Sequence, residues 1–245
     1  MWQKLQYMKL PITVLLIATK EMFMAYFNVV EKFVSINGEG QHSGELAVFI
    51  RLRGCNLHCN YCDTRWACTK EAPAERMTEL EIIDYIKSTG IKRVTLTGGE
   101  PLIAENIEIL LEALSNDSNI KVEIETNGSI SIEPFIKLKN APAFTLDYKL
   151  AGSGMENKML LSNFQFLQPK DTVKFVCSSI SELDKVVEIT DQFLLSHKCV
   201  VLISPVFGSI EPADMVNYLI KHKRNDIRLQ LQLHKFIWNP NTRGV

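Results

Sequence analysis

The sequence predicts an α/β protein built as an incomplete (β/α)6-type barrel, a partial TIM barrel in a single domain. Three observations predict it. Short β-rich runs alternate with amphipathic helical runs from Ala47 to Gln232, which is the pattern of parallel βαβ crossovers. The alternation gives about six such units. A complete eight-unit barrel needs ~250 residues, and only about 200 remain once residues 1–23 and a lead-in segment, Phe27–Gly44, are set aside.

Each element follows from local pattern. Ala47–Arg53 (AVFIRLR) reads as the first strand. Thr78 and Glu81 form a capping box, and Leu80, Ile82, Ile83 and Ile86 supply the helical stripe behind it. Arg93–Thr97 is a strand, Glu105–Leu114 a helix, Lys121–Glu125 a strand and Ile132–Leu138 a short helix. Ala143–Asp147 and Thr172–Val176 are strands flanking a helix at Lys158–Phe164. Ser179 and Glu182 cap a helix carrying Leu183, Val186, Val187, Phe193 and Leu194. Cys199–Ser204 is a strand, Pro212–Lys223 a helix with proline at an early position, and Arg228–Gln232 the last strand.

Apolar residues are 46% of the chain and charged residues 22%, the profile of a globular protein with a sizeable core. The net charge is −1, and the basic cluster Lys221–Arg224 falls where a helix should end, so no nucleic-acid partner is expected. Leu10–Ala18 is apolar behind Lys4 and Lys9 but too short to span a bilayer, so no membrane partner is expected. A second Met-Ala start occurs at Met24. Residues 1–23 are read as a leader or upstream-start extension outside the fold, and residues 24–245 as the domain.

Six cysteines occupy positions 55, 59, 62, 68, 177 and 199. Their clustering points to metal ligation in a reducing compartment, the cytoplasm, rather than to a disulfide scaffold. Cys177 and Cys199 lie at strand positions and read as small buried apolar residues. Cys55, Cys59 and Cys62 form a C-x3-C-x2-C run directly after the first strand, where parallel α/β folds gather their ligands. Three thiolates suit a [4Fe–4S] cluster with one iron left open. A Cys3His-type zinc site, with His58 or a distant residue as fourth ligand, and a four-cysteine cube using Cys68 are the alternatives. One βα unit later, Thr97-Gly98-Gly99-Glu100-Pro101 ends the second strand, and its paired glycines let a backbone approach a ligand closely.

The cysteine run with the GGEP segment resembles the radical S-adenosylmethionine superfamily. Four further segments, Ser35–Gly40 with His42–Gly44, Phe49–Gly54, Cys62–Thr64 and Leu233–Trp238 with Thr242–Val245, together with Glu125–Gly128, make the chain from Phe27 to Val245 similar to the 7-carboxy-7-deazaguanine synthase family. The resemblance implies a radical S-adenosylmethionine core. It implies a carbon–nitrogen lyase that contracts 6-carboxy-5,6,7,8-tetrahydropterin to a 7-deazapurine with loss of ammonia, a step of queuosine biosynthesis. It also implies a [4Fe–4S] cluster, S-adenosylmethionine and Mg²⁺ as cofactors, a flavodoxin-like or ferredoxin-like electron donor, and a homodimer. Carried over by position, Ile36, Asn37, Gly38 and Glu39 hold the pterin ring, Arg51 grips its carboxylate, and Thr97, His234 and Val245 line the pocket. Thr64 binds Mg²⁺. Tyr61, Cys62, Asp63, Gly99, Glu125, Asp147, Tyr148, Lys149 and Ser204 contact S-adenosylmethionine. Some family members carry Ser-Pro-Lys where this chain has Asp147-Tyr148-Lys149, and some have a long insertion between the first two cysteines. A glycyl-radical activating enzyme would share the cluster and GGEP segments but not the GEG loop, Arg51 or the Arg-Gly-Val end. A plain iron–sulfur electron carrier would want a fourth cysteine and no glycine pocket.

Overall fold

A computed structural model describes residues 24–245; the leader assigned to residues 1–23 lies outside the described residues. One nine-stranded sheet runs β3-β1-β2-β4-β5-β6-β7-β8-β9. From β2 onward every neighbour is parallel: β2 (Leu46–Leu52), β4 (Arg93–Gly98), β5 (Lys121–Thr126), β6 (Ala143–Tyr148), β7 (Thr172–Cys177), β8 (Val200–Pro205) and β9 (Ile227–Leu229). These are the seven predicted strands, and among the described residues β9 and β3, at opposite ends of the order, pair with β8 and β1 alone, so the barrel stays open.

Two antiparallel strands were not expected. The lead-in segment forms β1 (Tyr26–Ile36), an eleven-residue strand that pairs with β2 along Val29–Ile36 and with β3 (Glu75–Thr78) along Tyr26–Val29. Only Phe27 and Val29 alternate as buried residues there; the middle of the strand is half-buried, and a weak alternation hides a strand in the sequence. β3 is four residues long and runs directly into the next helix.

Helices α1 (Glu79–Ser88), α2 (Ile107–Ser115), α3 (Ser181–Gln192), α4 (Pro212–His222) and α5 (His234–Ile237) follow. The Thr78–Glu81 capping box of α1 is formed on both sides. The α3 cap differs from expectation. Its N-cap is Ile180, the Ser179 hydroxyl meets that of Ser181, and buried Glu182 accepts from Ser178 N (2.6 Å) and Gly152 N (2.6 Å) instead. The helix ends before Phe193, and Leu194 follows with a positive φ of 51°. The expected helix at 132–138 is a 3₁₀ turn, Glu133–Phe135, opened by Pro134. That at 158–164 is replaced by two, Glu156–Lys158 and Leu161–Gln165. Asn163 explains the second case: its buried amide donates to Ile130 O (2.8 Å) and Gly128 O (3.3 Å) and accepts from Ile132 N (3.1 Å). Those bonds tie the segment to the loop after β5 instead of to a helical ladder.

Successive residues of a strand face opposite sides of the sheet. Val48, Ile50, Leu52, Val94, Leu96, Ile124, Phe144, Leu146, Val173, Phe175, Val201 and Ile203 pack outward against the helices as the main core. Burying each such side chain stabilises by about 1.5–3 kcal/mol. Cys177 and Cys199 are buried as expected. α4 ends at the basic cluster, with Arg224 paired to Asp191 and Asp226 at 2.7 Å. No helix among the described residues is long and apolar enough to cross a membrane.

Candidate active site

The other face of the strands is polar. Arg51, Thr95, Thr97, Glu123, Glu125, Thr145, Asp147, Lys174 and Ser204 alternate with the core residues and line the barrel interior. In a sheet buried on both faces such side chains must satisfy one another or a ligand. Thr97 donates to Glu125 (2.9 Å), Thr145 to Glu123 (2.6 Å) and Thr95 to Asn37 (2.6 Å). Among the described residues three atoms there make no hydrogen bond: Asn37 Nδ2, Glu123 Oε2 and Asp147 Oδ1, the last lying at ion-pair distance from Lys174.

The gap in the barrel is crossed by the turn between β1 and β2. Asn37 N donates to Glu45 O (2.8 Å) and Gly44 N to Asn37 O (2.8 Å), which closes the turn. Leu233 N then bonds Gly38 O (3.0 Å), and a Cβ on Gly38 would overlap the His234 ring. Gln230 clamps Gly40 from both sides, accepting its N–H at 2.7 Å and donating to its carbonyl at 2.9 Å. Glu39 thereby reaches the far wall, 3.1 Å from Lys174 Nζ and 3.3 Å from Ser204 Oγ. Lys174 also lies 3.2 Å from Asp147, which pairs with Lys149 at 2.8 Å. Burial alone would lower the Lys174 pKa, but Asp147, Glu39 and Glu125 outweigh it and hold the ammonium charged well above the usual range. Burial opposes ionisation of Asp147, and Lys149 and Lys174 win, so its carboxyl is lowered. Glu125 is raised by burial against the pull of Lys174. Burial lowers His234.

The cysteine loop caps this interior. Gly54 donates to Ala67 O (2.9 Å), which brings the end of the loop back beside its start. Asn60 N bonds Ser153 O (3.0 Å) and Arg65 bonds Cys59 O (3.0 Å). Leu57 N (3.4 Å) and Asn127 Nδ2 (3.7 Å) point at Cys55 Sγ. The loop closure gives Cys68 a place that its spacing did not signal. Its thiol bonds Thr64 O (3.5 Å) and faces Cys55 and Cys62, lowering each to about 6. His58, one candidate fourth ligand of the zinc alternative, is exposed. Among the described residues no three His, Cys, Asp or Glu side chains converge on a single ion. A four-iron cube spreads its thiolates over separate irons, so this soft donor set, with N–H groups aimed at sulfur, fits a cube.

The GGEP turn presses on the loop. A Cβ on Gly98 would overlap Leu52 O, and one on Gly99 would overlap Gly54 O and lie 2.6 Å from Cys55 Cβ. Glu100 is fully buried and accepts from Leu102 N, Thr126 Oγ1 and Asn127 N; burial pushes it up to about 7.

The predicted site residues therefore separate. Ile36 to Glu39, Arg51, Thr97, Glu125, Asp147, Lys149, Ser204 and His234 share the interior or its rim. Arg51 spends Nε on Glu31 (3.1 Å) and Nη1 on Gly98 O (3.3 Å). Tyr61 donates to Val176 O (3.2 Å) and Asp63 pairs with Lys235 (3.3 Å), both on the rim. Thr64 Oγ1 lies 3.8 Å from Cys62 Sγ. Val245 is half-buried, and the terminal run meets the loop through Arg243, 4.1 Å over Trp66. Tyr148 is a correction: its ring lies in the outer core against Phe164 and Phe175, because β6 alternation turns it away from Asp147. Lys174 and Gln230 were missed. A lysine in the middle of Thr172–Cys177, a strand otherwise apolar or small, was the available signal for the first.

A family model described as the Radical SAM superfamily matches residues 49–186. The chain is 59% identical over 219 residues to a 7-carboxy-7-deazaguanine synthase of Clostridium acetobutylicum, covering 89% of this chain and 99% of that protein. It is 34% identical to one of Chlorobaculum tepidum, over 90% of this chain and 98% of that one. The crystal structure of QueE from Escherichia coli shares the fold with a TM-score of 0.65 at 21% identity, over 84% of this chain and 93% of that one. With the cysteine loop, the glycine turn and the GEG loop gathered at one barrel mouth, the chain belongs to the 7-carboxy-7-deazaguanine synthase family within the radical S-adenosylmethionine superfamily.

Proposed function

We propose that this chain is a radical lyase that converts 6-carboxy-5,6,7,8-tetrahydropterin to 7-carboxy-7-deazaguanine with loss of ammonia. The observation that carries the reading is the Glu39 loop, which crosses the open side of the barrel and lays a carboxylate into a polar interior that also holds Arg51. Those two side chains match the two ends of the substrate. Glu39 accepts the N–H pair of the 2-aminopyrimidinone ring. Arg51 offers the N–H groups not spent on Glu31 and Gly98 O to the substrate carboxylate. Relatives named for this synthase favour it over the activating enzyme and the electron carrier.

Cys55, Cys59 and Cys62 would hold the [4Fe–4S] cluster, whose chemistry when bound is the one-electron cleavage of S-adenosylmethionine. Gly99, without a side chain, leaves its backbone open to the amino-acid end of that cofactor. Glu125, Asp147 and Lys149 offer acceptors and a cation to its polar groups, with Tyr61, Cys62, Asp63 and Ser204 at the rim. Thr64 offers a hydroxyl to Mg²⁺, as one protein ligand beside substrate and water oxygens. Thr97, His234 and Val245 close around the substrate and exclude water. The enzyme works in the cytoplasm as a homodimer, with a flavodoxin-like or ferredoxin-like protein as reductant.

Anaerobic calorimetry of the cluster-loaded protein with carboxytetrahydropterin, S-adenosylmethionine and Mg²⁺ tests this reading. Saturable binding with formation of the deazapurine is expected. No binding would leave the superfamily standing and remove the substrate.

A further inference from the structure

The residue at the centre of the interior is one that no motif names. Lys174 projects from the middle of β7, 5% exposed, and its ammonium touches Glu39 at 3.1 Å and Asp147 at 3.2 Å. These carboxylates come from opposite sides of the cavity: Glu39 from the loop that bridges the open barrel, Asp147 from the adjoining strand β6. Glu125, from β5, adds a third negative charge to its field. An ammonium buried at this depth is held only by such partners, because an isolated buried charge is severely penalised.

The two carboxylates do not depend on Lys174 equally. Asp147 has a second cation, Lys149, at 2.8 Å. Glu39 has only a hydroxyl besides, Ser204 at 3.3 Å. Each carboxylate oxygen accepts two hydrogen bonds. With Lys174 on Oε2, and the one Ser204 proton shared between Glu39 Oε1 (3.3 Å) and Gln230 O (2.8 Å), Glu39 keeps acceptor capacity on both oxygens. A planar pair of adjacent N–H groups fits that arrangement.

We propose that Lys174 is a positioning residue that acts through Glu39: it draws the carboxylate across the barrel and fixes its orientation toward the N–H pair of the pterin substrate. The inference rests on the substrate reading above. Lys174 orients an acceptor and touches no reacting atom.

The test is a double-mutant cycle on cluster-loaded protein, with substrate affinity read by calorimetry and S-adenosylmethionine affinity read separately. Lys174→Met should weaken substrate binding by roughly thirtyfold or more, the expected loss for breaking a buried, hydrogen-bonded charge pair. Its S-adenosylmethionine affinity should change by less than about threefold, because Asp147 keeps Lys149. Lys174→Arg should recover part of the substrate loss. In the double variant Glu39→Gln/Lys174→Met the loss should be no greater than for Glu39→Gln alone, since both act on one contact. That variant buries no unpaired charge and serves where Lys174→Met does not fold. Additive losses, or equal losses for both ligands, would show a general structural role and overturn the inference. Unchanged substrate affinity in folded Lys174→Met would overturn it too. A wild type that fails to bind carboxytetrahydropterin removes the substrate reading instead, and is a separate result.

Discussion

The cysteine loop and the barrel interior are neighbours assembled in opposite ways. The loop is local: Cys55 to Cys68 is one stretch of fourteen residues, closed by the Gly54–Ala67 bond. The interior is long-range: Glu39, Asp147, Lys174 and Ser204 meet from a turn and three strands spread over more than 160 residues. A short loop fixes its ligands by sequence spacing, so its chemistry is written in a motif. A barrel interior fixes them by register, so a one-residue difference in strand phase decides which side chain enters. Asp147 and Tyr148 are adjacent, and only Asp147 is inside.

The largest effects are expected in the loop. Replacing Cys55, Cys59 or Cys62 by Ala should reduce bound iron to near background and abolish formation of 5′-deoxyadenosine. Cys68→Ala should retain most of the iron, although Cys68 faces Cys55 and Cys62. Iron and sulfide analysis of the four variants decides the assignment. If Cys68→Ala loses the cluster and Cys62→Ala keeps it, the ligand set and the contrast drawn from it are both wrong.

The interior should fail selectively. Arg51→Ala should keep cluster and S-adenosylmethionine binding and weaken substrate binding by about 2–5 kcal/mol, as a carboxylate is left without its partner. Thr64→Ala should act more mildly, shifting the Mg²⁺ dependence of turnover while water replaces the lost oxygen ligand. Loss of the cluster in Arg51→Ala would mean that the two regions are one cooperative unit.

Glu100 sits at the seam. It touches the end of β5 through Thr126 and Asn127, and its own N–H bonds Gly54 O at 2.9 Å. Its carboxyl is raised from an ordinary value of 4.5 to about 7. The unfolded chain ionises first, so the stability this group allows is complete below the unfolded value and is lost as pH rises through 7. A shift of this size amounts to about 3 kcal/mol. Glu100→Gln lacks the titration. Wild type should therefore lose roughly 2–3 kcal/mol relative to the variant between pH 5 and pH 8 in anaerobic denaturation. A constant difference would mean that Glu100 stays in one protonation state.

Much of the fold was legible because short β-rich runs alternate with helical ones; six of the seven parallel strands lie within a residue of the expected bounds, and the last, Ile227–Leu229, stops short of the expected Gln232. β1 was not, since half of it faces partial solvent and its alternation fades after Val29. The 3₁₀ turns near Asn163 were not, since a side-chain amide bonding to a distant loop leaves no periodic trace. At the site, Glu39 and Arg51 were legible by resemblance. Lys174 and Gln230 carry no motif of their own; their roles exist only when the turn after β1 closes over the barrel.

The smallest effect should come from removing residues 1–23. The described packing begins at Ala25, Phe27 and Val29, all buried, and β1 pairs with β3 from Tyr26↔Thr78 onward. A chain starting at Met24 keeps those contacts, the cysteine loop and every interior residue. A deletion that leaves every described contact in place is expected to cost no more than a surface substitution, within about 0.5 kcal/mol, which for a domain of this size is a shift of about 1–2 °C in Tm. Anaerobic melting and 5′-deoxyadenosine formation, compared between the full chain and the chain from Met24, should agree within those limits. A much larger drop in Tm would place part of the first 23 residues against the domain. Loss of activity with an unchanged Tm would put that segment at the barrel mouth, and the interior would then need a third contributor besides the GEG loop and the C-terminal run.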